Sequence, residues 1–214
     1  MKVLDIDSFI DCWKSFVSKP EFLQNYNGPR RTGFIVGKKG SSPFGNHFVE
    51  EFGNTYGYGT EDGLVDLSIY KRKFFKGVLD IQVLHKGWKF RDGLLAQFPV
   101  CHDVLLKNEN SIENAYMGMR RLACLRARLK VLVTYIWDPS IEGDDGDEAH
   151  KLLCRNLEVV IKQTNDAYPE NGETNYILIT GQRVNQKLIW RYTCFSLMSR
   201  LKQVETLIVT FDSD

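Results

Sequence analysis

Residues 104–137 read VLLKNENSIENAYMGMRRLACLRARLKVLVTYIW. Three patterns follow one another in this stretch. Val104-Leu105-Leu106 is a short apolar run, and with its flanks it predicts a strand over 100–108. From Ile112 the apolar residues recur at three- and four-residue steps: Ile112, Ala115, Tyr116, Met119, Leu122 and Ala123. That spacing is one face of a helix, here predicted over 111–125, with Ser111 as its cap. Lys130 to Trp137 is then a near-continuous apolar run, as a central parallel strand buried on both faces reads. The junction is the anomaly. A buried-looking strand ends in Lys107-Asn108-Glu109-Asn110, groups that are costly to desolvate without partners.

Working outward, residues 8–25 predict a helix capped by Ser8, with Phe9, Trp13, Phe16 and Val17 on one face. Residues 27–46 read as loop, with a short strand from Gly33 to Lys38. NHFVEEFG (46–53) predicts a short helix ending at Gly53. The glycines of TYGYGTEDG (55–63) punctuate a turn, and Leu64 to Tyr70 predicts a strand. Residues 77–88 predict another. DPSIEGDDGDE (138–148) is an acidic loop without the ligand spacing of a calcium-binding EF-hand. A helix over 147–167 follows, with Ala149, Leu152, Leu153, Leu157, Val160 and Ile161 facing inward. Strands at 175–180, 187–196 and 205–211 close the chain, the first two joined through GQRVNQ (181–186) as a hairpin. The fold class is α/β, with a mixed central β-sheet flanked by helices.

The 214 residues suit a single domain, and 43% hydrophobic with 26% charged residues is ordinary for a globular chain. A net charge of +1 excludes a global basic field, so nucleic-acid binding would need a local patch. Five cysteines (Cys12, Cys101, Cys124, Cys154, Cys194) are scattered, without metal-ligand spacing, and suggest free thiols in a reducing compartment. MKVLDIDSFIDCW (1–13) carries acids inside its apolar run, unlike a signal peptide, and no stretch reaches the ~20 apolar residues of a membrane span. The expectation is a soluble cytoplasmic protein without membrane association.

Two acids invite a chemical reading. Asp66 interrupts the apolar strand of Leu64, Val65, Leu67 and Ile69. Its structural reading is a solvent-facing acid on an edge strand. Lys107 and Glu109 stand two apart and project from one face of their strand, roughly 6–7 Å apart along it. If Asp66 and Glu109 met, they could hold a divalent cation of the magnesium type. Such an ion polarises a phosphodiester and acidifies a bound water. Lys107 could then orient the nucleophile or offset charge on the phosphate. Glu50 or Glu51 could add a further acid. Nucleophilic catalysis finds no support: there is no GxSxG, P-loop or HExxH, and His47, His85, His102 and His150 stand alone.

Residues 104–137 also resemble a group within the PD-(D/E)XK, restriction-endonuclease-like superfamily. In that group a strand ends in Glu-x-Glu-Asn, a helix contains a Lys-Leu step, and a strand of the form LKVLITY follows. The similar pieces here are Glu109-Asn110, Arg121-Leu122 and Leu129 to Tyr135. VDLSIY (65–70) is similar to the strand that bears the family's first metal-binding aspartate, here Asp66. The resemblance implies an α-β-β-β-α-β core over about 44–137, preceded by a helical and loop region (about 1–43) and followed by extra C-terminal strands (about 138–214). It implies a Mg2+- or Mn2+-dependent endonuclease of the restriction type, acting on double-stranded DNA as a homodimer. Asp66 and Glu109 would be metal ligands, Lys107 and Glu50 further catalytic residues. Arg120, Arg121, Lys71 and Arg72 would bind phosphate.

The chain departs from that pattern at two places. Lys107 stands where the family has a carboxylate, and a protonated lysine cannot ligate a metal. Glu50, Glu51, Glu61, Asp62 and Asp103 are the acids available to replace it. Arg121 stands where the helix lysine would be, and arginine binds phosphate but is a poor base. The alternative is therefore a nuclease-fold protein impaired in cleavage that binds nucleic acid or another protein. A third reading is an unrelated α/β domain in which Glu109-Asn110 is merely a strand end and helix entry.

Overall fold

The computed structural model describes residues 5–25, 43–53, 58–61, 67–71, 102–109, 111–124, 127–136, 145–167, 169, 174–184, 187–196 and 204–210. They form helices α1 (Ile6–Val17), α2 (Pro20–Asn25), α3 (Pro43–Phe48), α4 (Ile112–Ala123) and α5 (Asp145–Ala167), with a π-helical turn at Val49–Gly53. The strands are β1 (Tyr58–Glu61), β2 (Leu67–Lys71), β3 (His102–Asn108), β4 (Ala127–Tyr135), β5 (Asn175–Val184), β6 (Lys187–Ser196) and β7 (Val204–Thr210). All seven join one sheet in chain order, β1 to β7. β3, β4 and β5 run parallel, and the other neighbours pair antiparallel. The fold is α/β with a mixed sheet flanked by helices.

The parallel block dictates the layering. A parallel pair needs a crossover, and the strand order advances in one direction from β3 to β5. Two crossovers of the same hand then lay α4 and α5 on the same face of the sheet. Leu105, Leu132, Tyr176, Leu178 and Phe195 on that face pack with Ala115, Met119, Leu122, Leu153, Leu157 and Ile161 of the two helices. The opposite face carries Val104, Leu106, Val131, Val133, Tyr135, Ile177, Ile179 and Trp190, and α1 to α3 cover it. β4 is thus buried on both sides, as its apolar run predicts.

The cover on that second face is aromatic. Trp13 meets Trp190 edge-to-face at 5.4 Å between centroids and Phe44 at 5.1 Å. Phe16 contacts Phe22 at 5.3 Å, and Phe48 stacks on Phe52 at 4.6 Å. These contacts join the N-terminal helices to β6, so the first and last thirds of the chain share one core.

Several predicted elements hold: the helix opened by Ser111, the strand ending at Asn108, and the helical segment that stops at Gly53. Others are corrected. Ser8 is not the cap of α1. Asp5 is, accepting from the Ser8 backbone N–H at 2.8 Å, while the Ser8 hydroxyl accepts from the Asp5 N–H at 3.0 Å. This is a capping box with serine in its third position, and the Ser8 bonds hold the Asp5 carboxyl below its ordinary range. Residues 8–25 are not one helix either. The chain breaks at Ser18 and Lys19, and Pro20 opens α2, where its missing N–H costs nothing.

Tyr58–Glu61, expected as a turn, is a strand because it pairs with β2. Gly181 to Val184 belong to β5 rather than to the hairpin turn, with Val184 paired to Lys187. Leu152 is 53% exposed and points away from the sheet, whereas His150 and Cys154 point in. The strands expected at 33–38 and 77–88 lie outside the described residues. Among the described residues, no helix is long and apolar enough to cross a membrane.

Trp13 is the test of the shared core. Trp13→Ala should lower stability by about 3–5 kcal/mol and shift a single urea transition, read by circular dichroism. A separate early transition for the helical layer would contradict one core.

Candidate functional site

Ligand sites in α/β folds gather at the carboxyl ends of parallel strands. Here that edge is tightly tied. Beyond β3, the Glu109 N–H donates to the Val133 carbonyl at 2.8 Å, and the Ile136 N–H donates to the Gly181 carbonyl at 2.9 Å. The Ser111 hydroxyl accepts from the Asn114 N–H at 3.2 Å and caps α4. The Ser111 carbonyl accepts from the Thr134 hydroxyl at 3.3 Å, which pins the start of α4 to β4.

Lys107 and Glu109 project from this edge toward α4. The lysine Nζ lies 3.4 Å from the glutamate Oε1, and the side chains are only 12% and 14% exposed. So little water leaves the pair weakly screened, unlike a surface salt bridge. Its proximity to the helix depends on Gly118. A Cβ at that position would lie 2.9 Å from Glu109 Cγ and 3.1 Å from both Lys107 Cγ and Leu132 Cδ1. The glycine lets α4 rest directly on the pair, which explains a residue otherwise unfavourable in a helix interior.

The other sequence-predicted residues distribute as follows. Asp66, Arg72 and Asp62 lie outside the described residues. Leu67, which follows Asp66 in the chain, pairs with Leu106, the residue before Lys107. Lys71 closes β2 opposite Tyr58. Glu50 and Glu51 are exposed on the π-helical turn. Arg120 and Arg121 are exposed in the last turn of α4, with Arg120 Nη1 3.9 Å from the Met117 sulfur. Among the described residues, no group of three His, Cys, Asp or Glu side chains lies close enough to hold a metal ion. The pair therefore offers one carboxylate and one ammonium at a strand end, and a second carboxylate would have to come from elsewhere.

A second polar cluster escaped the sequence reading. His150 is not isolated: its Nδ1 lies 2.7 Å from the Thr180 hydroxyl and its Nε2 lies 2.8 Å from the Thr193 hydroxyl. Burial, with the Arg191 guanidinium nearby, pushes its pKa down to about 4. The ring is neutral at pH 7, one nitrogen donating and the other accepting. Arg191 is itself buried, donating to Gln182 Oε1 at 2.8 Å and to the Asp147 carboxylate. Gly146 allows the start of α5 to close over this group, since a Cβ there would lie 1.9 Å from Gln182 Oε1. A helical histidine in register with Leu153, Leu157 and Ile161 was the one available signal.

Two further buried cations or bases are structural. Lys130 is fully buried, donating to the Ala123 carbonyl at 3.4 Å and the Tyr176 hydroxyl at 3.2 Å. It thereby serves the carbonyl end of α4. Lys19 Nζ lies 2.9 Å from His47 Nδ1, and burial followed by the lysine charge lowers the His47 pKa. The four described cysteines form no disulfide, and burial raises the Cys194 thiol to about 11, so it is no nucleophile at pH 7.

Compared with known proteins, the chain matches no family model, no curated protein and no solved structure.

Two measurements probe these clusters. Gly118→Ala gains about 1 kcal/mol of helix propensity but forces the overlap with Glu109 and Lys107. Overpacking of this kind costs about 1–3 kcal/mol, so the variant should be the less stable protein in urea. An equally or more stable Gly118→Ala would show that α4 does not rest on the pair. For His150, the unfolded chain takes up a proton below the ordinary value of 6.5 while the folded protein resists until about 4. Stability should therefore fall as pH drops through that window, by about 1.4 kcal/mol per pH unit from this group. His150→Asn should flatten the slope, and an unchanged slope would contradict the assignment.

Proposed function

We propose that the chain is a metal-dependent DNA endonuclease on a restriction-endonuclease-like core. Asp66 and Glu109 act as cation ligands, Lys107 as the orienting cation, and Glu50 as an auxiliary acid. One observation carries the reading. Lys107 and Glu109 stand side by side at the end of β3, next to the strand that follows Asp66 in the chain. The order of the described elements over 43–135, helix, strand, strand, strand, helix, strand, supports it. That order is what the resemblance of residues 104–137 implies. Exposed Arg120 and Arg121 on α4 supply phosphate contacts, with Lys71 at the end of β2 and Arg72 next to it in the chain.

In this reading a bound Mg2+ or Mn2+ supplies Lewis acidity to the phosphodiester and lowers the pKa of a bound water. Glu109 contributes negative charge to hold it. Lys107, with three donors and no acceptor, orients the attacking water and offsets charge on the phosphate oxygens. Water adds to phosphorus, a P–O bond breaks, and the leaving oxygen takes up a proton. A homodimer would place two such sites across a duplex.

A second reading has its own support: Lys107 occupies the carboxylate position of the resemblance and already neutralises Glu109. A nuclease-fold module that binds nucleic acid without cleaving it would carry this pair as a structural element.

Plasmid DNA with Mg2+ or Mn2+ separates the two. The enzyme reading expects cleavage by the parent chain that Asp66→Ala abolishes. Cleavage appearing only with Lys107→Glu would establish the impaired module instead. No cleavage by either, with no retardation of DNA in low salt, would end both.

A further inference from the structure

We infer that the contact between His47 and Lys19 is an acid-sensitive catch, and that protonation of His47 releases α3 from the helical layer while the sheet stays folded. The inference stands apart from the nuclease reading and rests on how α1, α2 and α3 are joined.

His47 belongs to α3 and is 5% exposed. Lys19 lies in the break between α1 and α2. Its backbone N–H donates to the Phe16 carbonyl at 3.2 Å, and its carbonyl accepts from the Phe22 N–H at 2.9 Å. The 2.9 Å contact of Lys19 Nζ with His47 Nδ1 therefore ties α3 to that break. An ammonium only donates, so Nδ1 must accept, and the imidazole must be neutral with its hydrogen on Nε2. A proton added at Nδ1 removes the acceptor and sets two positive charges face to face. The contact cannot survive that change.

The surroundings decide how readily the ring is protonated. Burial disfavours its charged form most, and the Lys19 ammonium next. Glu51 and Glu50 of the π-helical turn and the Cys12 backbone of α1 favour the charged form, each more weakly. Both glutamates are exposed, so water screens their attraction. The Phe16 ring of α1, 5.6 Å from the imidazole, offers no compensating charge. The closed layer thus holds His47 neutral to lower pH than the ordinary value of 6.5, and opening takes up the proton.

α3 is the element that gives way. Its six residues are too few to persist as an isolated helix. Besides the catch, it is held by Phe44, 5.1 Å from Trp13 and 5.3 Å from Phe16, and by Phe48, 6.3 Å from Phe9. β4, by contrast, is paired on both sides and covered by α4, so it keeps its bonds when α3 lifts.

Hydrogen exchange of the full chain, corrected for the intrinsic pH dependence of amide exchange, tests this. As pH falls below 6.5, protection within residues 43–53 should drop by up to about tenfold per pH unit, the limit for uptake of one proton. Residues 127–136 should keep theirs. His47→Gln should abolish the dependence, and Lys19→Met should weaken it. An NMR titration of the His47 ring in the parent chain gives a reading that needs no variant of His47. Its midpoint should lie below 6.5 and rise in Lys19→Met. A midpoint at or above 6.5 in the parent overturns the inference. So does a loss of protection shared equally by residues 127–136, or one that persists unchanged in His47→Gln.

Discussion

Burial of β4 on both faces is the constraint from which the rest follows. A strand paired in parallel on both sides cannot leave either face to water, and its residues alternate into two cores. The crossover helices α4 and α5 supply one cover. Among the described residues no third crossover helix covers the other face, and α1 to α3 fill that role with aromatic side chains. This is why Trp13, near the start of the chain, meets Trp190, near its end.

The same constraint shapes the polar groups. Polar groups near the carboxyl ends of β3 and β5 sit beneath the middle of α4 and the start of α5. Polar side chains there must satisfy one another. Two glycines mark close approaches of the helices: Gly118 over Lys107 and Glu109, and Gly146 over Gln182. The first pair couples a carboxylate to an ammonium at a strand end. The second group is closed, since His150 bonds both threonines and Arg191 is held by Gln182 and Asp147. The proposed function rests on the first.

The sequence made these features legible to unequal degrees. An unbroken apolar run such as 130–137 has few alternatives to a central strand, and Ser111 before a periodic run is a strong helix start. Asp5 was hidden because its capping box uses Ser8 where glutamate or glutamine is usual. Tyr58–Glu61 carries a glycine and reads as a turn, becoming a strand only through its partner β2. The His150 network joins residues 30 and 43 positions apart, so no local pattern contains it. For the candidate site, spacing placed Lys107 and Glu109 on one face of one strand, and their contact agrees with that. The role of Gly118 depends on how α4 seats on the sheet, which is tertiary information.

The central claim concerns Glu109: that this carboxylate, held at a strand end against Lys107, serves a cation with Asp66. Diffraction from crystals soaked in Mn2+, recorded at a wavelength where manganese scatters anomalously, addresses it directly. The account predicts an anomalous peak roughly 2.1 Å from a Glu109 carboxylate oxygen, the distance expected for a hard divalent cation, with Asp66 as a second ligand. Crystals that show no peak there, with Lys107 still seated on Glu109, would contradict it.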